Sequence, residues 1–123
     1  MLKSSSNTPK VFGKTFSQWV VELSLEVPAG RVTTYGRIAR AAGGGAMASQ
    51  SITNILAKAY DAGEKRIPFH RIVYADGRVW MSPKYKKERE KLYKKEGIAL
   101  DKAGRIVNFQ KLVWEFGKKP RRR

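Results

Sequence analysis

Apolar residues recur at helical spacing in the first part of the chain. In residues 16–27 the apolar side chains are separated by four, three and four residues. This spacing places them on one face of a helix, with Thr15 or Ser17 as the expected N-cap. Pro28 is expected to end the element, because proline cannot continue a helix.

A second and a third helix are predicted on either side of a glycine-rich turn. Thr34 is the expected N-cap of a short helix that residues 43–45, three consecutive glycines, bring to an end. Glycines cost too much backbone entropy inside a helix to be part of one. The third helix is predicted at residues 49–60. Two short helices around such a turn are typical of a helix-turn-helix.

The pattern changes after Gly63, where β-branched and aromatic side chains become dense. Residues 66–74 are the richest stretch, and the tight-turn dipeptide Asp76-Gly77 separates them from a second short run that ends at Trp80. A strand, a tight turn and a further strand predict a small β-hairpin over residues 66–80.

Two more helices are predicted in the last third of the chain. Ser82 is the expected N-cap of a lysine-rich helix that extends to Glu96, with Gly97 as its C-terminal stop. A turn at residues 101–104 then precedes a last helix, for which Asn108 is the expected cap. The predicted fold class is therefore mostly α with a small β-hairpin.

The length of 123 residues predicts a single domain. Residues 1–10 are polar and serine-rich, and we interpret them as a flexible arm. The domain is predicted to cover residues 11–117. Residues 118–123 form a basic tail that we do not expect to be ordered by itself.

The composition excludes most of the side chains that enzymes usually use for catalysis. The chain has no cysteine and one histidine, which excludes disulfides, a cysteine nucleophile and metal sites built from thiolates or several histidines. We expect no metal and no cofactor. No apolar run is long enough to span a bilayer and no signal peptide is evident, so we expect no membrane partner and an intracellular protein.

The charge of the chain points to a binding partner. Lys and Arg number 26 against 10 Asp and Glu, a formal net charge of +16. A small domain this basic is typical of proteins that bind a polyanion, most often nucleic acid. The alternative from charge alone is an ordinary fold with a solvated layer of lysines.

Three segments, in this order and spacing, resemble the C-terminal domain of the O6-alkylguanine-DNA alkyltransferases. Residues 30–39, Gly-Arg-Val-Thr-Thr-Tyr-Gly-Arg-Ile-Ala, match the start of that family's helix-turn-helix. Residues 67–73, Ile-Pro-Phe-His-Arg-Ile-Val, are similar to its active-site segment Pro-Cys-His-Arg-Val. Residues 95–97, Lys-Glu-Gly, match the end of its last shared helix. The resemblance implies a winged-helix-like domain.

Phe69 stands where that family carries the cysteine that accepts the alkyl group. A phenyl ring has no lone pair with which to attack an alkyl carbon. The chain therefore resembles the alkyltransferase-like proteins, and residues 105–114 are also similar to the ends of those chains. The resemblance implies a protein that is not an enzyme, binds O6-alkylguanine in DNA by base flipping and marks this DNA damage for nucleotide excision repair.

The resemblance also implies the residues of a lesion pocket. Phe69 is expected to form a flat apolar wall, Tyr35 to stack at the entrance, and the carbonyl of Ile72 to meet the edge of the base. The loop that continues the pocket is expected to be formed by Trp80, Met81, Ser82 and Pro83. His70 and Glu96 match the pair that activates the cysteine in relatives, and Arg71 matches the arginine that ties this segment to neighbouring backbone. Without a thiol, we assign these three a structural hydrogen-bonding role.

The helix at residues 49–60 is expected to dock in the minor groove of duplex DNA, with the protein as a monomer. Relatives insert an arginine into the base stack, and this position is occupied here by Gln50. Glutamine fills space without charge, so either Gln50 is a weaker finger or damage recognition is attenuated. The predicted DNA contacts are Thr33, Thr34, Tyr35, Arg37, Ser49, Gln50 and Ser51.

Two other functions are compatible with the sequence. One is a generic basic helix-turn-helix module that binds DNA or RNA and has lost lesion specificity. The other is an enzyme that uses Tyr35 or Tyr74 as a nucleophile, but a phenol that nothing activates is almost fully protonated near neutral pH. For a lesion-binding protein we expect a location in the bacterial cytoplasm or nucleoid, or in a eukaryotic nucleus.

Overall fold

The computed structural model describes residues 10–11, 14–45 and 48–116, so the predicted arm and basic tail lie almost entirely outside the described residues. The helices of this part of the chain are α1 (Phe16–Glu26), α2 (Tyr35–Ala41), α3 (Ile52–Asp61), α4 (Lys86–Lys95) and α5 (Phe109–Leu112). The strands are β1 (Lys10–Val11), β2 (Lys14–Thr15), β3 (Thr33–Thr34) and β4 (Ile72–Val73). The fold is mostly helical, as the sequence predicts, and none of these helices could cross a membrane.

The first helix begins and ends where the sequence predicts. The Thr15 hydroxyl accepts a hydrogen bond from the Gln18 amide (3.1 Å), and the Gln18 side chain accepts one from the Thr15 amide (2.9 Å). This reciprocal capping satisfies two amides that have no partner inside the helix. Leu23 on the inner face of α1 is fully buried. Pro28 follows directly after the C-cap residue Val27.

Helices α1, α2 and α3 enclose the larger apolar core, to which Leu23, Ile38, Ile52 and Leu56 contribute. The Thr34 hydroxyl caps α2 by accepting a hydrogen bond from the Arg37 amide (3.1 Å), as predicted. The helix predicted from residue 49 instead begins at Ile52 and is preceded by a 3-10 turn, Ala48–Ser51. The predicted helix-turn-helix is therefore formed by α2 and α3.

The hairpin predicted over residues 66–80 is wrong in its pairing. Strand β4 lies parallel to β3, with Thr33 opposite Ile72 and Thr34 opposite Val73. Both strand residues are buried: Ile72 packs into the α1–α3 core and Val73 into a second cluster. A strand buried on both faces needs an interior partner, and local pattern does not identify a partner 39 residues away along the chain.

The second cluster joins β4 to the C-terminal part of the domain. Its buried residues are Val32, Val73, Tyr93, Ile98 and Ile106. The turn predicted at residues 101–104 is present, and Leu100 pairs with Ile106 across it. Gly97 ends α4 with φ of +76°, a left-handed conformation that favours glycine, as predicted.

One predicted helix start is corrected, whereas the last helix begins directly after Asn108, as predicted. Helix α4 begins at Lys86 instead of following Ser82, because the Ser82 carbonyl accepts a hydrogen bond from the Tyr85 amide (3.0 Å) in a preceding turn. Asn108 has φ of 61° and makes no side-chain cap. The last helix is also shorter than predicted, because the chain becomes extended at Val113 to pair with Val32.

Candidate nucleic-acid interface

A cleft of about 1180 Å³ opens between α3 and α4. One wall is formed by α3 and the 3-10 turn Phe69–Arg71, and the other by Trp80 and the inner face of α4. Tyr35 and Gln50 also line the cleft. It thus joins the helix-turn-helix to the segment that contains Phe69.

Phe69 forms part of the apolar wall and is half-buried. Its ring meets that of Tyr60 edge to face, with centroids 5.6 Å apart and an angle of 66° between the planes, a favourable arrangement of aromatic quadrupoles. The Lys65 ammonium lies 4.0 Å from the Tyr60 centroid. The wall therefore presents aromatic surface backed by a positive charge.

Tyr35 and Tyr74 form a second aromatic pair on the cleft, with ring centroids 5.6 Å apart. Tyr35 is the first residue of α2, directly after its cap Thr34. Burial raises the pKa of Tyr35, and the neighbouring Tyr74 raises it further, while a hydrogen bond with Thr53 acts in the opposite direction. Tyr35 is therefore a neutral phenol at physiological pH.

Trp80, Tyr85 and Arg89 form the opposite wall. The Arg89 guanidinium lies 5.3 Å from the Trp80 ring centroid, within the range of a cation–π interaction. The Trp80 and Tyr85 rings are 6.1 Å apart, and about 40% of each residue is exposed to solvent. Exposed aromatic rings beside a guanidinium make a surface suited to stacking on nucleobases.

A buried network lies behind the Phe69 wall. The Glu96 carboxylate, 7% exposed, accepts hydrogen bonds from His70 Nε2 (2.7 Å), Arg71 Nη2 (2.6 Å) and the Gly30 amide (3.0 Å). Arg71 Nη1 also donates to the Val27 carbonyl (3.0 Å). These bonds join the end of α4 to the end of α1 and orient the turn that carries Phe69.

The charge states of this network follow from burial and hydrogen bonding. Burial acts to raise the pKa of Glu96, but hydrogen bonds from Arg71, the Gly30 amide and His70 outweigh it and lower the pKa to about 2. Burial lowers the pKa of His70, against the attraction of Glu96. At neutral pH a neutral imidazole therefore faces an ionised carboxylate, which can only accept, so the proton lies on Nε2.

The His70 turn is also held by Tyr93 from the second cluster. The Tyr93 hydroxyl donates to the His70 carbonyl (2.6 Å), and burial raises the pKa of Tyr93 to about 12. In the described part of the chain, no group of three or more His, Asp or Glu side chains could hold a metal ion.

The structure brings some of the predicted pocket residues together and separates others. Those that line the cleft are Tyr35, Phe69, His70, Arg71 and Trp80. Ile72 is buried in β4, and Met81 packs against the second cluster. Ser82 and Pro83 also lie outside the cleft lining, because the turn before α4 carries them away from it. The structure thus does not place these four side chains on the cleft, and the predicted role of the Ile72 carbonyl stays a prediction.

Some of the predicted DNA contacts also line the cleft, and others do not. Ser49 and Gln50 line the cleft, whereas Ser51 lies beside a groove between α1 and α3. Arg37 forms an ion pair with Glu115 (2.9 Å) outside the cleft. Thr33 and Thr34 are buried and hydrogen-bonded within the domain. We therefore correct the expectation that these two side chains face DNA.

Sequence reasoning missed three wall residues that a local signal could have identified. Thr53, Ala57 and Tyr60 line the cleft from α3, and their spacing of four and three residues places them on one helix face. This face lies beside the one that buries Ile52 and Leu56 in the core. Arg89 was also missed, because only the tertiary packing of α4 brings it beside Trp80.

Comparison with known proteins identifies a matching family, similar curated proteins and similar solved structures. Residues 15–98 match the family described as 6-O-methylguanine DNA methyltransferase, DNA binding domain. A DNA base-flipping protein of Escherichia coli (strain K12) is 29% identical over 103 residues, which cover 83% of this chain and 76% of that protein, and one from Shigella flexneri matches equally. A crystal structure of S. pombe Atl1 in complex with damaged DNA containing O6-carboxymethylguanine has a TM-score of 0.64 at 22% identity, covering 94% of this chain and 100% of Atl1.

Proposed function

Because the chain belongs to the family of the 6-O-methylguanine DNA methyltransferase DNA-binding domain, we propose that it binds O6-alkylguanine in duplex DNA without removing the alkyl group. It is an alkyltransferase-like protein, with Phe69 at the position of the acceptor cysteine. The observation that carries the proposal is the position of Phe69 on the wall of the cleft, next to an intact network of His70, Arg71 and Glu96.

Lesion recognition requires the damaged base to leave the duplex. An alkylated guanine pairs poorly, so flipping it out of the stack costs less than flipping a normal base. The cleft of about 1180 Å³ is large enough for a flipped nucleobase and its substituent. In this proposal Phe69 supplies a flat apolar surface for the base, and the Ile72 carbonyl accepts a hydrogen bond from its edge.

The duplex is proposed to dock on the helix-turn-helix, with α3 in the minor groove. Gln50 lies on the cleft immediately before α3 and is in a position to fill the gap that the flipped base leaves. Tyr35, at the start of α2, is proposed to support the backbone next to the flipped nucleotide. The net charge of +16 supports binding to the phosphates.

The family's pair of His and Glu has a structural role in this chain. In relatives that pair activates a thiol, and here His70 and Glu96 instead hold the turn Phe69–Arg71 against α4 and Gly30. The bound lesion therefore stays chemically unchanged. A protein that leaves damage in place is useful when other proteins remove it, so we propose that a monomer marks the lesion for intracellular nucleotide excision repair.

An alkyl-labelled O6-methylguanine duplex tests both binding and the lack of transfer. We expect the protein to retard the duplex on a native gel, and all of the label to remain with the DNA after denaturation. The physical reason is that the phenyl ring of Phe69 cannot attack an alkyl carbon and the chain has no cysteine. An active alkyltransferase serves as the positive control, and stoichiometric labelling of this protein would contradict the proposal.

A further inference from the structure

Helix α4 carries a row of lysines on the side that faces away from the cleft. Lys87, Lys91 and Lys94 are all exposed, and their spacing of four and three residues aligns them along one helix face. The opposite side of the helix is occupied, because Arg89 and Leu92 line the cleft. We call these three residues the α4 lysine row.

The row differs from an ordinary solvated helix face in having no alternation of charge. Such faces usually mix acidic and basic residues that pair with one another. Here Glu88 lies on the cleft side, Glu90 is 3.9 Å from Lys86, and the Glu96 carboxylate is bound within the buried network. Among the described residues, no carboxylate forms an ion pair with a lysine of the row.

This arrangement places like charges next to one another on the outer face of α4. Like charges three or four residues apart repel each other along the helix, and the row contains both spacings. Packing compensates for the repulsion, since Tyr93 is buried and its hydroxyl bonds to the His70 carbonyl. A bound anion would relieve the repulsion within the row, and this favours an outer face that binds an anion.

The dimensions of the row fit a nucleic-acid backbone. Lys87 and Lys94 are seven residues apart, which corresponds to about 10 Å along a helix axis at ~1.5 Å per residue. One DNA strand carries a phosphate about every 3.4 Å of duplex axis. The row therefore extends over about three phosphates, one for each ammonium group.

The direction of the row indicates which DNA it contacts. A duplex that places a base in the cleft lies on the side of α4 that presents Arg89, whereas the row lies across the helix from that side. A helix with its side chains is roughly 10–12 Å thick, so the two surfaces are separated by the body of α4. We propose that the α4 lysine row binds the phosphates of a second DNA segment while the cleft holds the first. One molecule then bridges two duplexes. The assignment of the cleft to DNA rests on the proposed function.

A bead assay with unmodified DNA tests the bridge. A biotinylated duplex is immobilised, the protein is added at low salt, and retention of a second, fluorescent duplex is measured. The test variant is Lys87→Gln combined with Lys91→Gln and Lys94→Gln. The control combines Lys102→Gln, Arg105→Gln and Lys111→Gln, which removes the same charge from exposed positions outside the cleft.

The wild type and the control are expected to retain the second duplex, and the row variant to retain about tenfold less, since the row's three phosphate contacts to the second duplex are lost. Affinity for a single duplex, measured separately, should fall no further in the row variant than in the control. Equal retention by the two triple variants, or no retention by the wild type, would overturn the proposal. Because neither duplex contains a lesion, this result does not depend on lesion recognition, which the labelled O6-methylguanine duplex tests separately.

Discussion

Replacing Glu96 by glutamine is expected to destabilise the domain by about 3–5 kcal/mol, the usual cost of removing one partner of a buried ion pair. The substitution preserves the shape of the side chain but leaves the Arg71 guanidinium, which donates at 2.6 Å, without its counter-charge. Since small domains have a total free energy of unfolding of ~5–15 kcal/mol, the loss is severe. Urea denaturation followed by tryptophan fluorescence measures it.

Glu115→Gln is the matched control for this effect. Glu115 forms an ion pair with Arg37 of similar length, 2.9 Å, but its side chain is 65% exposed. Exposed pairs contribute about 0–1 kcal/mol because water screens them. If both variants lowered the free energy of unfolding equally, the buried network would not be the anchor that we describe.

The pH dependence of the free energy of unfolding tests the same network independently. The pKa of Glu96 is lowered from 4.5 to about 2, so its contribution is present above pH 4.5 and is lost as the pH falls toward 2. Burial lowers the pKa of His70 below 6.5, so its protonation in the unfolded chain begins to reduce stability below that pH. Glu96→Gln should lack the part of the acid loss between pH 4.5 and 2.

Phe69→Asp is expected to abolish most of the preference for the lesion. Loss of base–aromatic stacking alone costs about 1–3 kcal/mol, or ~5- to ~140-fold in affinity. A carboxylate beside the flipped base adds desolvation and repulsion from the phosphates. Affinity for unmodified DNA, which depends on contacts of α3 and lysines with the backbone, should change much less. Paired titrations against matched duplexes measure both.

Two further variants separate a pocket effect from a folding effect. Phe69→Leu keeps the turn apolar and should lose only the stacking part of the preference. Val107→Asp introduces the same charge at a residue that is 41% exposed and lies outside the cleft, so lesion preference should remain. Circular dichroism checks the fold of each variant. An unchanged preference in a folded Phe69→Asp would remove Phe69 from the proposed pocket.

The elements that sequence predicted well are those set by neighbouring residues. Helix α1 is defined by the reciprocal cap of Thr15 and Gln18 and by Pro28, all within the segment itself. Helix α2 is likewise set by the Thr34 hydroxyl and by the glycines that follow. Local hydrogen bonds and backbone entropy are properties that a sequence pattern contains.

The errors concern pairings between distant segments. Strand β4 was predicted to pair across the turn at Asp76-Gly77, and this turn does form, with a hydrogen bond from the Gly77 amide to the Tyr74 carbonyl (2.9 Å). The stronger requirement was to bury Ile72 and Val73 on opposite faces, which selected β3 as the partner. Tertiary packing decides between pairing across the turn and pairing with β3. Local β propensity carries no information about that packing.

In the candidate site, too, neighbouring residues were easier to predict than contacts between distant segments. The Pro-x-His-Arg segment contains Phe69, His70 and Arg71 as sequence neighbours, whereas Glu96 lies 26 residues after His70 and was identified only through the resemblance. The resemblance implied residues 81–83 in the pocket, whereas the structure places them outside the cleft lining, in the turn before α4. Arg89 lies on the cleft wall because α4 packs beside Trp80. No pattern in the sequence around Trp80 indicates this contact.

The most direct test of the central claim is a paired titration of the wild-type protein with two duplexes that differ only in guanine or O6-methylguanine at one position. Fluorescence anisotropy at a fixed, moderate salt concentration gives the two affinities. A lesion that is easier to flip, held against Phe69 in the cleft, predicts tighter binding by about tenfold or more, ~1.4 kcal/mol. Equal affinities would contradict lesion recognition and would identify the chain as a generic basic module that binds nucleic acid through its charge.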